Sequence, residues 1–77
     1  MEIIVLGTGC AKCKTTYETI KKVIEANGLN VNLSKQEDIM EIMKYNVISL
    51  PGVVVDGEVK IKGHVPSESE IHNLLGI

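Results

Sequence analysis

The residues best suited to chemistry lie in "GTGCAKCKTT" (7–16), where Cys10 and Cys13 stand three positions apart and are the chain's two cysteines. A Cys-x-x-Cys pair has three chemical uses: a metal clamp, a structural crosslink, or a dithiol that cycles with its disulfide. The neighbours bear on the choice. "EIIVL" (2–6) is short, β-branched and ended by Gly7, the signature of a buried strand. Helical spacing begins at Cys10 and continues through Cys13, Tyr17, Ile20 and Ile24. A strand-to-helix turn there puts Cys10 at a helix start. Unpaired backbone N–H groups and the helix dipole stabilise a thiolate at such a position. Lys12 and Lys14 add positive charge, which makes Lys12 the candidate for tuning the thiolate. Cys13 follows on the same helical face, within reach of Cys10. Gly7 and Gly9 let the chain turn sharply and leave Cys10 open to a partner.

Magnitudes favour a pair over a lone nucleophile. A thiol of pKa ~8.5 is about 3% ionised at pH 7, and one of pKa ~7 about 50%. Nucleophilicity falls as the pKa falls, with a Brønsted slope of ~0.5, so attack gains only about threefold. The larger benefit is a good leaving group when a second thiol resolves the mixed disulfide. A structural crosslink here would close a very short loop, contributing only ~2 kcal/mol in the chain-entropy model. A metal module remains the alternative: two thiolates can hold Cu(I), whereas zinc needs two more ligands. The histidines, His64 and His72, have no spacing that directs them to Cys10, so no metal ligand is assigned.

The elements that position the pair follow from pattern. "ANG" (26–28) stops the first helix, with Gly28 as its left-handed cap. "LNVNL" (29–33) alternates with period two and reads as a half-buried strand. "SKQE" (34–37) has the form of a capping box for a second helix carrying Ile39, Met40, Ile42 and Met43 on one side and fading near Tyr45-Asn46. Met40 and Met43 read as core filler. Pro51 leads into "VVV" (53–55) and "EVKIK" (58–62), which flank the hairpin turn Asp56-Gly57. Ser67 and Glu70 form another capping box, before a stripe of Ile71, Leu74 and Leu75. The order β-α-β-α-β-β-α implies a right-handed first crossover and an α/β fold, a four-stranded mixed sheet flanked by helices. A copper-carrier domain would instead end in a strand.

"GTGCAKC" after a first strand and "LPGVVVDG" entering a hairpin together resemble the thioredoxin superfamily. The chain is most similar to very small thioredoxin/glutaredoxin-like proteins of prokaryotes, of the redox-active disulfide type. The resemblance spans essentially residues 1–77 as a single thioredoxin-like domain. It implies a thiol–disulfide oxidoreductase in which Cys10 attacks and Cys13 resolves, with no cofactor. It further implies that Pro51 is the cis-proline beside the active-site sulfurs, although X–Pro bonds in general are cis only ~5–6% of the time. Leu50, before it, would pair its backbone with an extended substrate segment, and Ser49 could contact that segment. The implied partners are a disulfide-containing protein and a thiol or flavoprotein reductase. A non-catalytic interaction protein using the Leu50–Pro51 groove is a further alternative. The residue before Cys10 is Gly9, where thioredoxins usually have an aromatic. Ala11-Lys12 stands between the cysteines, where glutaredoxins often have Pro-Tyr.

Composition narrows the classes. Net charge is −2, lysines are scattered among acids, and Tyr17 and Tyr45 are the sole aromatics. That offers neither a basic stripe nor a stacking platform, so no nucleic-acid partner is expected. No apolar run approaches the ~20 residues of a membrane span, and Met1-Glu2 does not begin as a secretory signal does. The expectation is a cytoplasmic monomer without membrane association, and structural disulfides are rare in that compartment.

Overall fold

The structure, a computed structural model, describes residues 1–8, 11–47 and 49–76. Cys10, on which the expected nucleophile falls, lies outside the described residues, as do Gly9, Ile48 and Ile77. The elements are β1 (Glu2–Leu6), α1 (Ala11–Ala26), β2 (Asn32–Gln36), α2 (Ile39–Met43), β3 (Gly52–Val55), β4 (Glu58–Lys62) and α3 (Glu68–Leu75). The sheet order is β2-β1-β3-β4. β1 pairs parallel with β2 and antiparallel with β3, and β3 pairs antiparallel with β4.

The period of two in the central strands divides the core between the two faces of the sheet. Ile3 and Val5 of β1, with Val53 and Val55 of β3, join Ile20, Val23 and Ile24 of α1 and Ile71 of α3. Leu6 and Val54 point the other way, to Ile42 of α2 and Val47. β3 is buried along its whole length, which is why it reads as an unbroken valine run and not as an alternation. The hairpin turn forms at Asp56-Gly57, both at positive φ (49° and 83°), as a type I′ turn requires. α1 ends at Gly28 (φ 59°): Leu29 N–H donates to the Ile24 carbonyl at 3.1 Å and Gly28 N–H to that of Glu25 at 3.4 Å. Ser67 and Glu70 form the expected capping box of α3.

Three expectations are corrected. The second strand occupies Asn32–Gln36, not 29–33. Leu29, Val31 and Leu33 do all pack against the α1-side core, so the alternation is real. The ladder, however, is set by β1, whose Glu2 pairs with Asn32 and whose Leu6 pairs with Gln36. Ser34 is therefore a strand residue, and "SKQE" is not a capping box. The cap of α2 is Asp38, whose side chain accepts from Met40 N–H at 2.9 Å. Finally, α2 is a five-residue helix burying Ile42 alone, and Met40 and Met43 are 69% and 62% exposed. A helix of about one and a half turns has room for one inward position, so the methionines are not core.

Candidate functional site

The site is built at one end of the sheet. Leu6, the last residue of β1, pairs with Gly52, and Gly52 pairs with Lys62 at the end of β4. The row one residue beyond is Gly7, Pro51 and Gly63. Gly7 N–H donates to the Gln36 carbonyl at 3.0 Å, and Gly63 N–H donates to the Pro51 carbonyl at 3.0 Å. The strand ends are thus fastened to each other up to the last residue before the loops.

Cys13 lies over this row in the first turn of α1 and is buried, 5% exposed. Its neighbour is Gly7. A Cβ built there would overlap the Cys13 Sγ and lie 2.5 Å from its Cβ, closer than real side chains approach. Gly7 serves close packing of the strand end against the helix. Its backbone is not in the left-handed region, so conformational freedom is not what the position requires. Thr16, one turn below Cys13, is fully buried and donates its hydroxyl to the Lys12 carbonyl at 2.8 Å, which satisfies its polar group.

A cavity of about 200 Å³ opens against Cys13, lined by Val5, Gly7, Cys13, Lys14, Lys35 and Glu37. Lys35 reaches it from β2, opposite Val5 in the register, and its ammonium stands 4.4 Å from the centroid of the Tyr17 ring on α1. Lys14 is expected near the cysteines, but the sequence does not place Lys35 and Glu37 beside the buried sulfur. Lys35 arrives there through parallel pairing with a strand thirty residues earlier, a relation no local pattern carries.

Pro51 is fully buried and its peptide bond with Leu50 is cis. Leu50 is half-buried against the α2-side core, and Ser49 is exposed beside Gly63. The structure therefore brings Cys13, Gly7 and Pro51 to one sheet end, with Leu50 and Ser49 on its rim. Lys12 is exposed on the first turn of α1. His64 Nε2 lies 2.9 Å from Glu70 Oε2, and among the described residues no group of three or more His, Cys, Asp or Glu gathers as a metal site. No helix among the described residues is long and apolar enough to cross a membrane.

Comparison with known proteins agrees with this geometry. The family described as the thioredoxin domain matches residues 1–76. The chain is 35% identical over 75 residues to a thioredoxin of Methanothermobacter thermautotrophicus, covering 97% of each. It is 41% identical over 69 residues to a thioredoxin of Methanocaldococcus jannaschii, covering 90% of this chain and 79% of that one. The family match along almost the whole chain and the identity to two thioredoxins lead to one assignment: the chain belongs to the thioredoxin family and is a thiol–disulfide oxidoreductase.

Proposed function

We propose that the chain exchanges disulfides through Cys10 and Cys13, with Cys10 the nucleophile and Cys13 the resolving thiol. The observation that carries this order is the burial of Cys13 beneath Gly7. A sulfur so enclosed is poorly placed to meet an external disulfide but well placed to act within the protein. In the first step the Cys10 thiolate attacks one sulfur of a substrate disulfide. A mixed disulfide forms and one substrate thiolate leaves. The Cys13 thiolate then attacks the Cys10 sulfur, forming the Cys10–Cys13 disulfide and releasing the second substrate thiol. Two electrons pass from the dithiol to the substrate, and an external thiol or a flavoprotein reductase returns them. Without a resident cofactor, the sulfur pair is the whole electron store.

The other roles attach to this cycle. Lys12 is proposed to favour the Cys10 thiolate by its charge. Leu50, before the cis bond, is proposed to pair its backbone with an extended substrate segment, with Pro51 against the sulfurs and Ser49 at the rim. The substrate class is a disulfide-containing protein or a small disulfide, handled by a single domain of residues 1–77 acting as a monomer in the cytoplasm.

The test is trapping. Cys13→Ser should accumulate a mixed disulfide with a model protein disulfide, seen as an added mass that dithiothreitol removes. Cys10→Ser should form none under the same conditions. Equal trapping by both variants would overturn the assignment of roles. Turnover by Cys10→Ser equal to that of the unmodified chain would overturn the dithiol mechanism.

A further inference from the structure

We infer that the cleft bounded by Asn46, Ser49, Lys62 and Gly63 is a carboxylate subsite that selects substrates carrying an acidic group near the reacting disulfide. This rests on the proposed substrate groove at Leu50–Pro51 and adds a chemical class to it. The cleft has a volume of about 340 Å³, and its lining offers an ammonium, an amide and a hydroxyl but, among the described residues, no carboxylate. Lys62 is the source of its charge. Its strand neighbour Lys60 is committed to Glu58 at 3.3 Å, and Lys44 at the end of α2 to Glu41 at 2.9 Å. No acid lies within ion-pair distance of Lys62 among the described residues. The cleft thus combines one uncompensated cation with neutral polar groups. The cavity against Cys13 differs, because Glu37 stands there with Lys14 and Lys35.

Placement makes the cleft relevant to exchange. Gly63 follows Lys62 in the chain and donates its N–H to the Pro51 carbonyl at 3.0 Å, while Ser49 lies two residues before Pro51. Across the sheet end the order is Gly7 with Cys13 above it, then Pro51, then Gly63 with the cleft. Two strand spacings of about 4.8 Å separate the outer members of that row, and an extended chain covers that length in about three residues. Lys62 shares the register row of Leu6 and Gly52, which faces the α2 side, while Cys13 lies on the α1 side, so a carboxylate three or more residues from the substrate cysteine is the one that reaches Lys62 around the sheet end while the disulfide lies at Cys13.

The shared chemistry is a carboxylate attached to a disulfide, from an acidic peptide side chain or from a small disulfide diacid. The experiment measures kcat/KM for matched probes. One pair is a peptide disulfide with Glu, or Gln, three residues from the cysteine. The other is 3,3′-dithiodipropionic acid and its diamide. At low salt the acidic member of a pair should be favoured about three- to fivefold, as one exposed charge pair allows, and 0.5 M NaCl should largely remove the preference. Lys62→Gln should bring the ratio to about one, Lys62→Arg should keep it, and Lys60→Gln should leave it unchanged. A preference for the peptide acid alone assigns the subsite to protein substrates, and for the diacid alone to small disulfides. A ratio that persists in Lys62→Gln, or no preference in the unmodified chain while the neutral probes turn over, overturns the subsite and leaves the oxidoreductase reading standing. Failure of every disulfide to turn over overturns both.

Discussion

At the scale of single residues, the contact between Gly7 and Cys13 ties packing to chemistry. Burial brings the sulfur under the end of β1, and only a residue without a Cβ leaves room for it there. Gly7→Ala forces a methyl group against both heavy atoms of the Cys13 side chain, and the Cβ, bonded directly to the backbone, cannot swing away as the tip of a long side chain could. Overpacking of this kind costs about 1–3 kcal/mol. Urea unfolding of reduced Gly7→Ala should show a loss in that range. The same variant should release substrate from the mixed disulfide more slowly, because the displaced sulfur is the proposed resolving thiol. An unchanged unfolding midpoint would mean that the strand end and helix separate freely at this point.

At the scale of elements, α2 and α3 are short helices held by different means. α2 is anchored by Ile42, which has no exposed surface, while Met40 and Met43 face solvent. Ile42→Ala should cost about 2–5 kcal/mol, whereas Met40→Gln and Met43→Gln should each stay within about 0.5 kcal/mol of the unmodified chain. α3 is fastened at its N-terminus by Glu70. One carboxylate oxygen accepts from Ser67 N–H at 3.3 Å, and the other lies 2.9 Å from His64 Nε2. The hydrogen bond with His64, then that with the Ser67 backbone, holds the Glu70 carboxyl below its ordinary value of 4.5. A carboxylate with a lowered folded-state pKa binds fewer protons folded than unfolded in the acid range. Its contribution to stability is therefore present above about pH 4.5 and is lost as the pH falls through the folded-state value. The stability difference between the unmodified chain and Glu70→Gln should shrink on acidification below pH 4.5, measured by urea midpoints across that range. A difference that grew on acidification would contradict the direction of the shift. Both helices also show what the sequence carries. The Ser67–Glu70 box and the Asp56-Gly57 turn were legible because their requirements are met within four residues. The start of β2 and the faces of α2 were not, because one depends on register with β1 and the other on how few turns the helix completes. In the candidate site, the Cys-x-x-Cys pair announced itself by type and spacing, and Pro51 entered through the family resemblance. Lys35 and Glu37 beside Cys13, and Lys62 beside Ser49, are neighbours made by the packing of segments far apart in sequence.

At the scale of the molecule, the two packed layers share their central strands, and this sets how the fold comes apart. Ile3, Val5, Val53 and Val55 belong to the α1–α3 layer, while Leu6 and Val54 on the same two strands belong to the α2 layer. Neither layer can lose its strand face without exposing the other's, so a chain of this size should unfold in one step. The two tyrosines allow a direct test. Tyr17 packs against the first layer and Tyr45 against the second, and the chain has no tryptophan to mask them. Tyr45→Phe leaves a fluorescent reporter on the α1 side only, and Tyr17→Phe leaves one on the α2 side only. Each variant's fluorescence midpoint in urea should coincide with its own far-ultraviolet circular dichroism midpoint, with equal slopes. An earlier fluorescence transition in Tyr17→Phe alone would show that the α2 layer opens by itself. Leu50 packs on that layer, so such opening would loosen the rim of the site while Cys13 stayed enclosed beneath Gly7. Coincident midpoints would mean that Pro51 and the buried sulfur of Cys13 are held by one cooperative structure.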